Sequence, residues 1–339
     1  WEKVLCDALA GRLERVYHGG FADMAKVAPA RHDLLPSGYF FGSLQISRGC
    51  PLSCSFCSVS EFNGRRLRRR PIQSVIDELK RIPEDFILIA DDNLIGTKSS
   101  QMEHAKELFR AMAASNHGKR WMGQVTVNFG DDDELMALAV AAGCFGVLIG
   151  FESPTAEGLK EINKHFNTKN GRDLPAAVRR IQRAGMVVCG SFALGLDVDK
   201  KGIGRTIADA GHEYGIDVLN TLFLTPLPGT RLFNNMRRDD RLVADRLPAD
   251  WRYYTFTYPV AKYKHLSWSD AVREMADVNR HFYSLPRVVS RLANSLWRTK
   301  RPLCMVVGLL TGLSYRFNRG LEEQAGASVD LTRSRPAVG

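Results

Sequence analysis

The sequence predicts an α/β fold built on a parallel sheet, and three observations carry that prediction. From about residue 44, short uncharged runs rich in β-branched and aromatic residues alternate with amphipathic stretches. Glycines close several of those stretches, as helix C-termini favour. Polar and acidic residues collect directly after the apolar runs, where a parallel sheet gathers its strand ends on one rim. Six βα units fall short of an eight-stranded barrel, so the expectation is a curved, open partial barrel. A flat doubly wound sheet is the alternative.

The predicted strands are 43–47, 86–90, 121–127, 146–151, 187–194 and 218–224. They carry almost no charge, as strands buried on both faces should. Between them, Ile72, Val75, Ile76 and Leu79 form one helical face, with Pro71 suited to a helix start. Leu135, Leu138, Ala139 and Ala142 form another, before Gly143. Ala177, Val178, Ile181 and Ala184 precede Gly185, and Ile203, Ile207, Ala210 and Tyr214 precede Gly215. Near the end, 271–282 and 288–297 also read as helices.

The chain has 339 residues, and no stretch approaches the roughly 18 apolar residues of a membrane span. No signal peptide is visible. The seven cysteines are too few and too clustered for a disulfide scaffold, which points to a reducing, cytoplasmic setting. Cys6, Cys144, Cys189 and Cys304 read as small buried apolar residues. The net charge of +10 is concentrated in GRRLRRRP (64–71) and in 286–319, leaving the remainder close to neutral. That argues against a general nucleic-acid partner.

The stretch SRGCPLSCSFCSV places Cys50, Cys54 and Cys57 at C-x3-C-x2-C spacing. A structural zinc site wants four protein ligands. No histidine lies between His32 and His104, and no cysteine between Cys57 and Cys144. A ferredoxin cluster also takes four cysteines. Three thiolates on a cubane leave one iron open, and an open iron on a barrel rim is a substrate or cofactor site.

With Phe56 directly before its third cysteine, this stretch resembles the signature of the radical S-adenosylmethionine (SAM) enzymes. The resemblance runs from about Leu44 to Thr230. It implies a partial (βα)6, TIM-like barrel and a [4Fe–4S] cluster held by Cys50, Cys54 and Cys57. SAM would chelate the fourth iron and be cleaved to methionine and a 5′-deoxyadenosyl radical. An electron donor such as flavodoxin or ferredoxin is implied too. By the same resemblance Phe56 borders adenine, and IADDNLIG brings Asp91, Asp92 and Asn93 toward the SAM amino group. IGFES brings Glu152 and Ser153 to the ribose or methionine part. GSFALGL is the fifth strand near adenine, and TPLPGT places Thr225 in the sixth-strand loop. Plainer roles compete: Asp91 and Asp92 as caps of the next turn, Glu152 as partner of an arginine, Phe56 as core. Gln124 and Asn128 are further polar candidates.

ARHDLLPSGYFF, FCSVSEFNGRRLRRRP, ADDNLIG, IGFESP and TPLPGT together resemble the cobalamin-binding radical SAM proteins, which include methylases of unactivated carbon acting on hopanoid lipids. Members of that group carry a cobalamin domain upstream, for which residues 1–39 are too short, and the D-x-H-x-x-G cobalamin motif is absent. The chain begins at Trp1, so a native N-terminus is expected further upstream, with Trp1–Arg15 as a linker helix. The resemblance implies methyl transfer to a small-molecule or lipid substrate, with any cobalamin site outside this chain. A tRNA methylthiotransferase is the alternative, with the arginines gripping phosphate; the bland role for that run is a solvated loop. A non-catalytic iron–sulfur carrier is another, but would not need a barrel.

The expected organisation is an N-terminal linker over 1–43, a radical SAM core over 44–232, a mainly helical extension over 233–329 and a flexible tail over 330–339. DWRYYTFTYPV (250–260) could wall the open side of the barrel or simply pack. Pro302–Tyr315 is uncharged and flanked by basic residues, which suits either a docked helix or shallow contact with an anionic membrane.

Overall fold

The computed structural model of the protein describes residues 1–36, 38–299, 306, 309–314 and 331, with backbone alone at 170 and over 294–299. Its main sheet has six strands: β1 (Phe41–Leu44), β2 (Phe86–Ile89), β3 (Arg120–Val125), β4 (Cys144–Glu152), β5 (Val187–Leu194) and β6 (Val218–Phe223). Every pair is parallel, and sheet order follows chain order. A doubly wound sheet reverses its strand order at a switch point. This one never does, so the partial barrel holds and the flat alternative fails.

The predicted strand ends shift by up to three residues, and two of the shifts have a visible cause. The first stops at Leu44, because the Asp91 carboxylate takes the Ile46 N–H at 2.7 Å and the Ser47 hydroxyl at 2.6 Å. Ser47–Arg48 then pairs antiparallel with Arg68–Arg69. The third stops at Val125; Thr126 gives its hydroxyl to the Gly96 carbonyl, and Val127–Asp131 coils into a 3-10 turn.

Burial on both faces is also corrected. Along β2, Ile87 and Ile89 are buried while Leu88 is 44% exposed. In register with Leu88 lies half-buried Met122, and exposed Gln124 pairs across with half-buried Leu148 and then Cys189. One face of the sheet is core and the other is left open.

The core face is covered by the predicted helices Ile72–Arg81, Asp133–Ala141, Leu174–Arg183 and Ile203–Tyr214. An unforeseen helix, Ser99–Ala114, lies between β2 and β3 and buries Ala105, Leu108, Phe109 and Met112. Its apolar positions are broken by charge, and one charge, Lys106, is spent internally on Glu103, Asp132 and Glu134.

The C-terminal extension is tied to the barrel. In the helix Trp268–Phe282, Glu274 accepts the N–H groups of Gly202 and Gly204 at 2.7 and 2.8 Å, capping the helix Ile203–Tyr214. Gly204 suits that approach, since a Cβ there would collide with the Glu274 backbone. The aromatic segment forms a small cluster with Val243, Ala244, Tyr254 and Val260 beyond β6, where the Phe223 N–H reaches the Phe256 carbonyl. No described helix is long and apolar enough to cross a membrane. Cys304, most of 302–315 and nearly all of the tail lie outside the described residues.

Of the expected linker helix Trp1–Arg15 only Glu2–Leu9 is α-helical, and Cys6 on it is exposed rather than buried. The arginine run is a solvated loop only at Arg65 and Arg66, which are exposed. Arg68 donates to the carbonyls of Ala22 and Asn63 and lies over the Phe21 ring, and Arg69 donates to the Gln101 carbonyl. Arg70 is buried against Glu78 at 2.6 Å, and Glu78 also meets His32 at 3.0 Å and the Ala30 N–H at 3.2 Å. This buried group fastens the N-terminal segment to the barrel.

Burial pushes the Glu78 carboxyl up, yet His32, Arg70 and the Ala30 amide outweigh it and hold the group below its ordinary 4.5. Its pairing therefore stabilises the fold above about pH 4.5 and is lost as pH falls below that value. Glu78→Leu strands the Arg70 charge and is expected to cost about 3–5 kcal/mol in urea unfolding at pH 7. The deficit should shrink between about pH 5 and pH 3; a constant deficit would show that packing, not the charge, is lost.

Candidate active site

The three cysteines stand on the loop that leaves β1, at the carboxyl end of the sheet. All three are free thiols and half-buried. The loop has little secondary structure of its own, and other strand ends shape it. From beyond β2, Asp92 accepts the Gly49 N–H at 3.2 Å and the Asn63 amide at 3.2 Å. From beyond β4, Asn163 donates to the Ser53 carbonyl and hydroxyl at 3.0 and 2.8 Å, and the Ile162 carbonyl accepts the Ser55 N–H. From beyond β6, Leu232 N–H reaches the Ser55 carbonyl and Arg231 donates to that of Ser53. Cys50 N–H closes onto the Gly64 carbonyl at 3.2 Å. The boundary expected at residue 232 therefore falls inside the helix Arg231–Arg238, which holds this loop.

Glu152 ends β4 in an unusual way. The register slips between Gly150 and Glu152, and Glu152 adopts φ +67, the left-handed region that non-glycine residues rarely occupy. Such a conformation costs of order 1–3 kcal/mol and clusters at functional sites. Asn167 holds the slip by donating to the carbonyls of Gly150 and Phe151, each at 3.0 Å. The result aims Glu152 at the Lys164 ammonium, 2.6 Å away. The side-chain exposures are 13% and 9%, so the pair is screened little by water. A Cβ on Gly150 would collide with both groups.

The charges at the rim oppose one another. Burial pushes the Cys54 thiol up to about 12, and it raises Cys50 and Cys57 as well, while Lys164 draws all three back. Burial alone would depress Lys164, yet Glu152 and the Cys54 and Cys50 sulfurs hold it above its ordinary value. Without a cation the sulfurs keep their protons, and a bound metal displaces them. Among the described residues no three His, Cys, Asp or Glu side chains suit a single metal ion. A cubane does not ask for that, because each thiolate binds a different iron. The donor set of three free thiols on one pinned loop fits such a cluster.

The remaining predicted residues differ in how much chemistry they have to spare. Asp91 is buried, with burial raising it to about 6, and it is spent not on the next turn but on Ile46 and Ser47 past the end of β1. Asp92 positions Gly49 and Asn63. Ser153 caps the next helix through Thr155, and the Thr225 hydroxyl donates to the Phe223 carbonyl at 3.0 Å, so both are occupied locally. Phe56 is half-buried against the core. Asn128 donates weakly to the Gly96 carbonyl, and Gln124 lies on the open face. Asn93 is buried with its Nδ2 unpaired. Glu152 pairs with a lysine rather than an arginine.

Sequence reasoning missed Lys164, Asn163 and Asn167. The signal was the run INKHFN, polar and lying past a short helix after β4, but nothing in it announced that the chain returns to the cysteine loop.

Residues 44–210 match the Radical SAM superfamily, whose members use a [4Fe–4S] cluster and SAM. An uncharacterized methyltransferase of Synechocystis sp. is 31% identical over 226 residues, covering 65% of this chain and 42% of that protein. The hopanoid C-2 methylase of Rhodopseudomonas palustris is 29% identical over 213 residues, covering 62% and 40%. This chain thus spans less than half the length of either relative. A solved structure of the radical S-adenosylmethionine methyltransferase TsrM from Kitasatospora setae, with tryptophan and a SAM analog bound, matches with TM-score 0.59 at 19% identity, covering 85% of this chain and 62% of that one. Strand order, the pinned cysteine loop and the family match over the same residues agree: the chain carries a radical SAM domain over residues 44–210.

Proposed function

We propose that the chain is the catalytic barrel of a radical SAM methyltransferase, with Cys50, Cys54 and Cys57 as the three ligands of a [4Fe–4S] cluster. The observation that carries the reading is the cysteine loop itself: three free thiols, pinned from three strand ends on the rim of a parallel partial barrel. When bound, the cluster and SAM supply one-electron cleavage to methionine and a 5′-deoxyadenosyl radical. The protein's part is placement. Lys164 offers a buried ammonium for a carboxylate, and Glu152 a carboxylate for an ammonium or a ribose hydroxyl. Phe56 offers a ring edge for adenine, and Asn93 an unpaired amide. Asp91, Asp92, Ser153 and Thr225 act behind these by shaping the backbone.

Methyl transfer is supported by the relatives, which are named as a methyltransferase and a methylase. The open face of the sheet carries Leu88, Met122 and Leu148, so the substrate is a small molecule or lipid with an apolar part to lay there. Cobalamin as methyl carrier rests on the resemblance of the barrel motifs; no residue of this chain is assigned to hold it.

Two experiments test this. Anaerobically reconstituted protein should bind about four irons and four sulfides and convert SAM to 5′-deoxyadenosine when reduced. Alanine at Cys50, Cys54 or Cys57 should abolish both, while alanine at Cys144 or Cys189 should leave them. Stoichiometric zinc without iron would defeat the assignment. When a corrinoid-binding domain and substrate are supplied, S-adenosylhomocysteine should appear beside 5′-deoxyadenosine; its absence would replace methyl transfer by radical chemistry alone.

The loop's backbone gives a third test. Gly49 has φ +97, and a Cβ there would sit 2.5 Å from the Arg66 carbonyl and 2.9 Å from that of Gly64. Gly171 has φ +65 but open space around its Cα. Both alanine variants carry left-handed strain of order 1 kcal/mol, but only Gly49→Ala meets fixed backbone. Gly49→Ala should lose most of its iron on desalting while Gly171→Ala keeps it. Equal retention would mean that the loop adapts and its closure does not set the site.

A further inference from the structure

We infer that Arg65 and Arg66, with Phe62 and Phe21 beside them, form the docking surface for an acidic one-electron carrier protein that reduces the cluster. The inference rests on the cluster reading above and deepens it by placing the reductant.

The five arginines of 64–71 divide into two groups. Arg68, Arg69 and Arg70 are spent on backbone carbonyls and on Glu78. Arg65 and Arg66 are exposed, and among the described residues their guanidinium groups meet no carboxylate or carbonyl. Exposed aromatic rings flank them. Phe62 is 72% exposed. Phe21 is 62% exposed and lies against Gly64, where a Cβ would meet its ring at 2.8 Å. Glu61 is the single acid between Cys57 and Pro71. A positive and partly apolar patch of this kind is complementary to a partner that sets carboxylates around an apolar centre.

Its position is what an electron carrier needs. Cys50 N–H donates to the Gly64 carbonyl at 3.2 Å, and a Cβ on Gly49 would sit 2.5 Å from the Arg66 carbonyl. The patch is therefore one hydrogen bond and a few covalent bonds from a cluster ligand. One electron leaves the carrier, which is oxidised, and enters the cluster, which is reduced from the 2+ to the 1+ state; no atom or proton has to cross. Electron-transfer encounters sit at the small end of interface sizes, and a few charges steer them. Nucleic acid fits less well. Two arginines of the run are free for phosphate, whereas salt-sensitive binding of a duplex draws on about 6–10 such contacts.

The test uses the reconstituted full chain, with flavodoxin, a small acidic flavoprotein, as the probe. Binding of oxidised flavodoxin is followed by calorimetry. Formation of 5′-deoxyadenosine is followed with reduced flavodoxin and, separately, with dithionite, a small reductant that needs no docking. The double variant Arg65→Glu, Arg66→Glu should bind flavodoxin about tenfold more weakly or worse. It should need correspondingly more flavodoxin for half-maximal SAM cleavage, with dithionite-driven cleavage unchanged. Wild-type binding should weaken as salt is raised. Equal affinity of the two proteins overturns the inference, as does wild-type binding that ignores salt. A variant that loses binding of added tRNA but keeps flavodoxin assigns the patch to nucleic acid and also overturns it. Should the variant fail to load iron, calorimetry on the unloaded proteins decides, since docking itself needs no cluster. Wild-type chain that cleaves SAM with dithionite but binds no flavodoxin overturns this inference alone. A chain that takes up no iron defeats the cluster reading as well, so the two failures are distinguishable.

Discussion

Three thiols must be held at fixed positions on a loop that forms almost no hydrogen bonds with itself. The rest of the structure follows from that constraint. The loop cannot set its own shape, so its carbonyls and amides are taken by Asp92 from one strand end, by Ile162 and Asn163 from another, and by Arg231 and Leu232 from a third. Such convergence is available because all six strands run the same way and bring their carboxyl ends to one rim. An antiparallel sheet of the same residues would send alternate loops to the opposite side. Parallel order is thus the condition under which residues separated by as many as 178 positions in sequence meet around one short loop.

The electrostatics of the rim add a second layer. Burial alone would leave the sulfurs protonated, and the Lys164 ammonium draws all three back. Lys164 is itself expensive to bury, and Glu152 offsets that cost from a strained left-handed residue at a slip in β4. Removing one partner would leave the other charge buried and unpaired. The strain, the slip, the ion pair and Asn167 form one unit, which accounts for a costly backbone conformation at the end of an otherwise regular strand.

Much of this was legible in the sequence. The parallel sheet could be read because buried strands are apolar and helices keep their period, and β5 was placed at its observed bounds. The cysteine spacing is local, so it survived reading one residue after another. What failed was decided across the fold. β1 ends early because of a carboxylate 44 residues away in sequence from the Ser47 hydroxyl it accepts. The arginine run looks like free charge until Glu78, Gln101 and the carbonyl of Ala22 are brought to it. Lys164 carries no sign of its role, because burial and proximity to sulfur are properties of the folded chain. Cys6 shows the converse error: its apolar neighbours belong to a helix whose Leu5 and Leu9 are themselves exposed.

The two faces of the strand ends divide the work. Toward the helices the strands present Ile87, Ile89, Val147 and Ile149, all buried, and these give the rigidity that a pinned loop needs behind it. Toward the open side they present Leu88, Met122, Gln124 and Leu148, half-buried or exposed, with little charge. The buried Glu152–Lys164 ion pair lies at the rim. Polar recognition at the rim and apolar contact beneath it make different demands on residues. Alternation of period two along parallel strands lets one short segment meet both, since each step along β2 or β4 turns from core to open face while the strand end delivers the polar group.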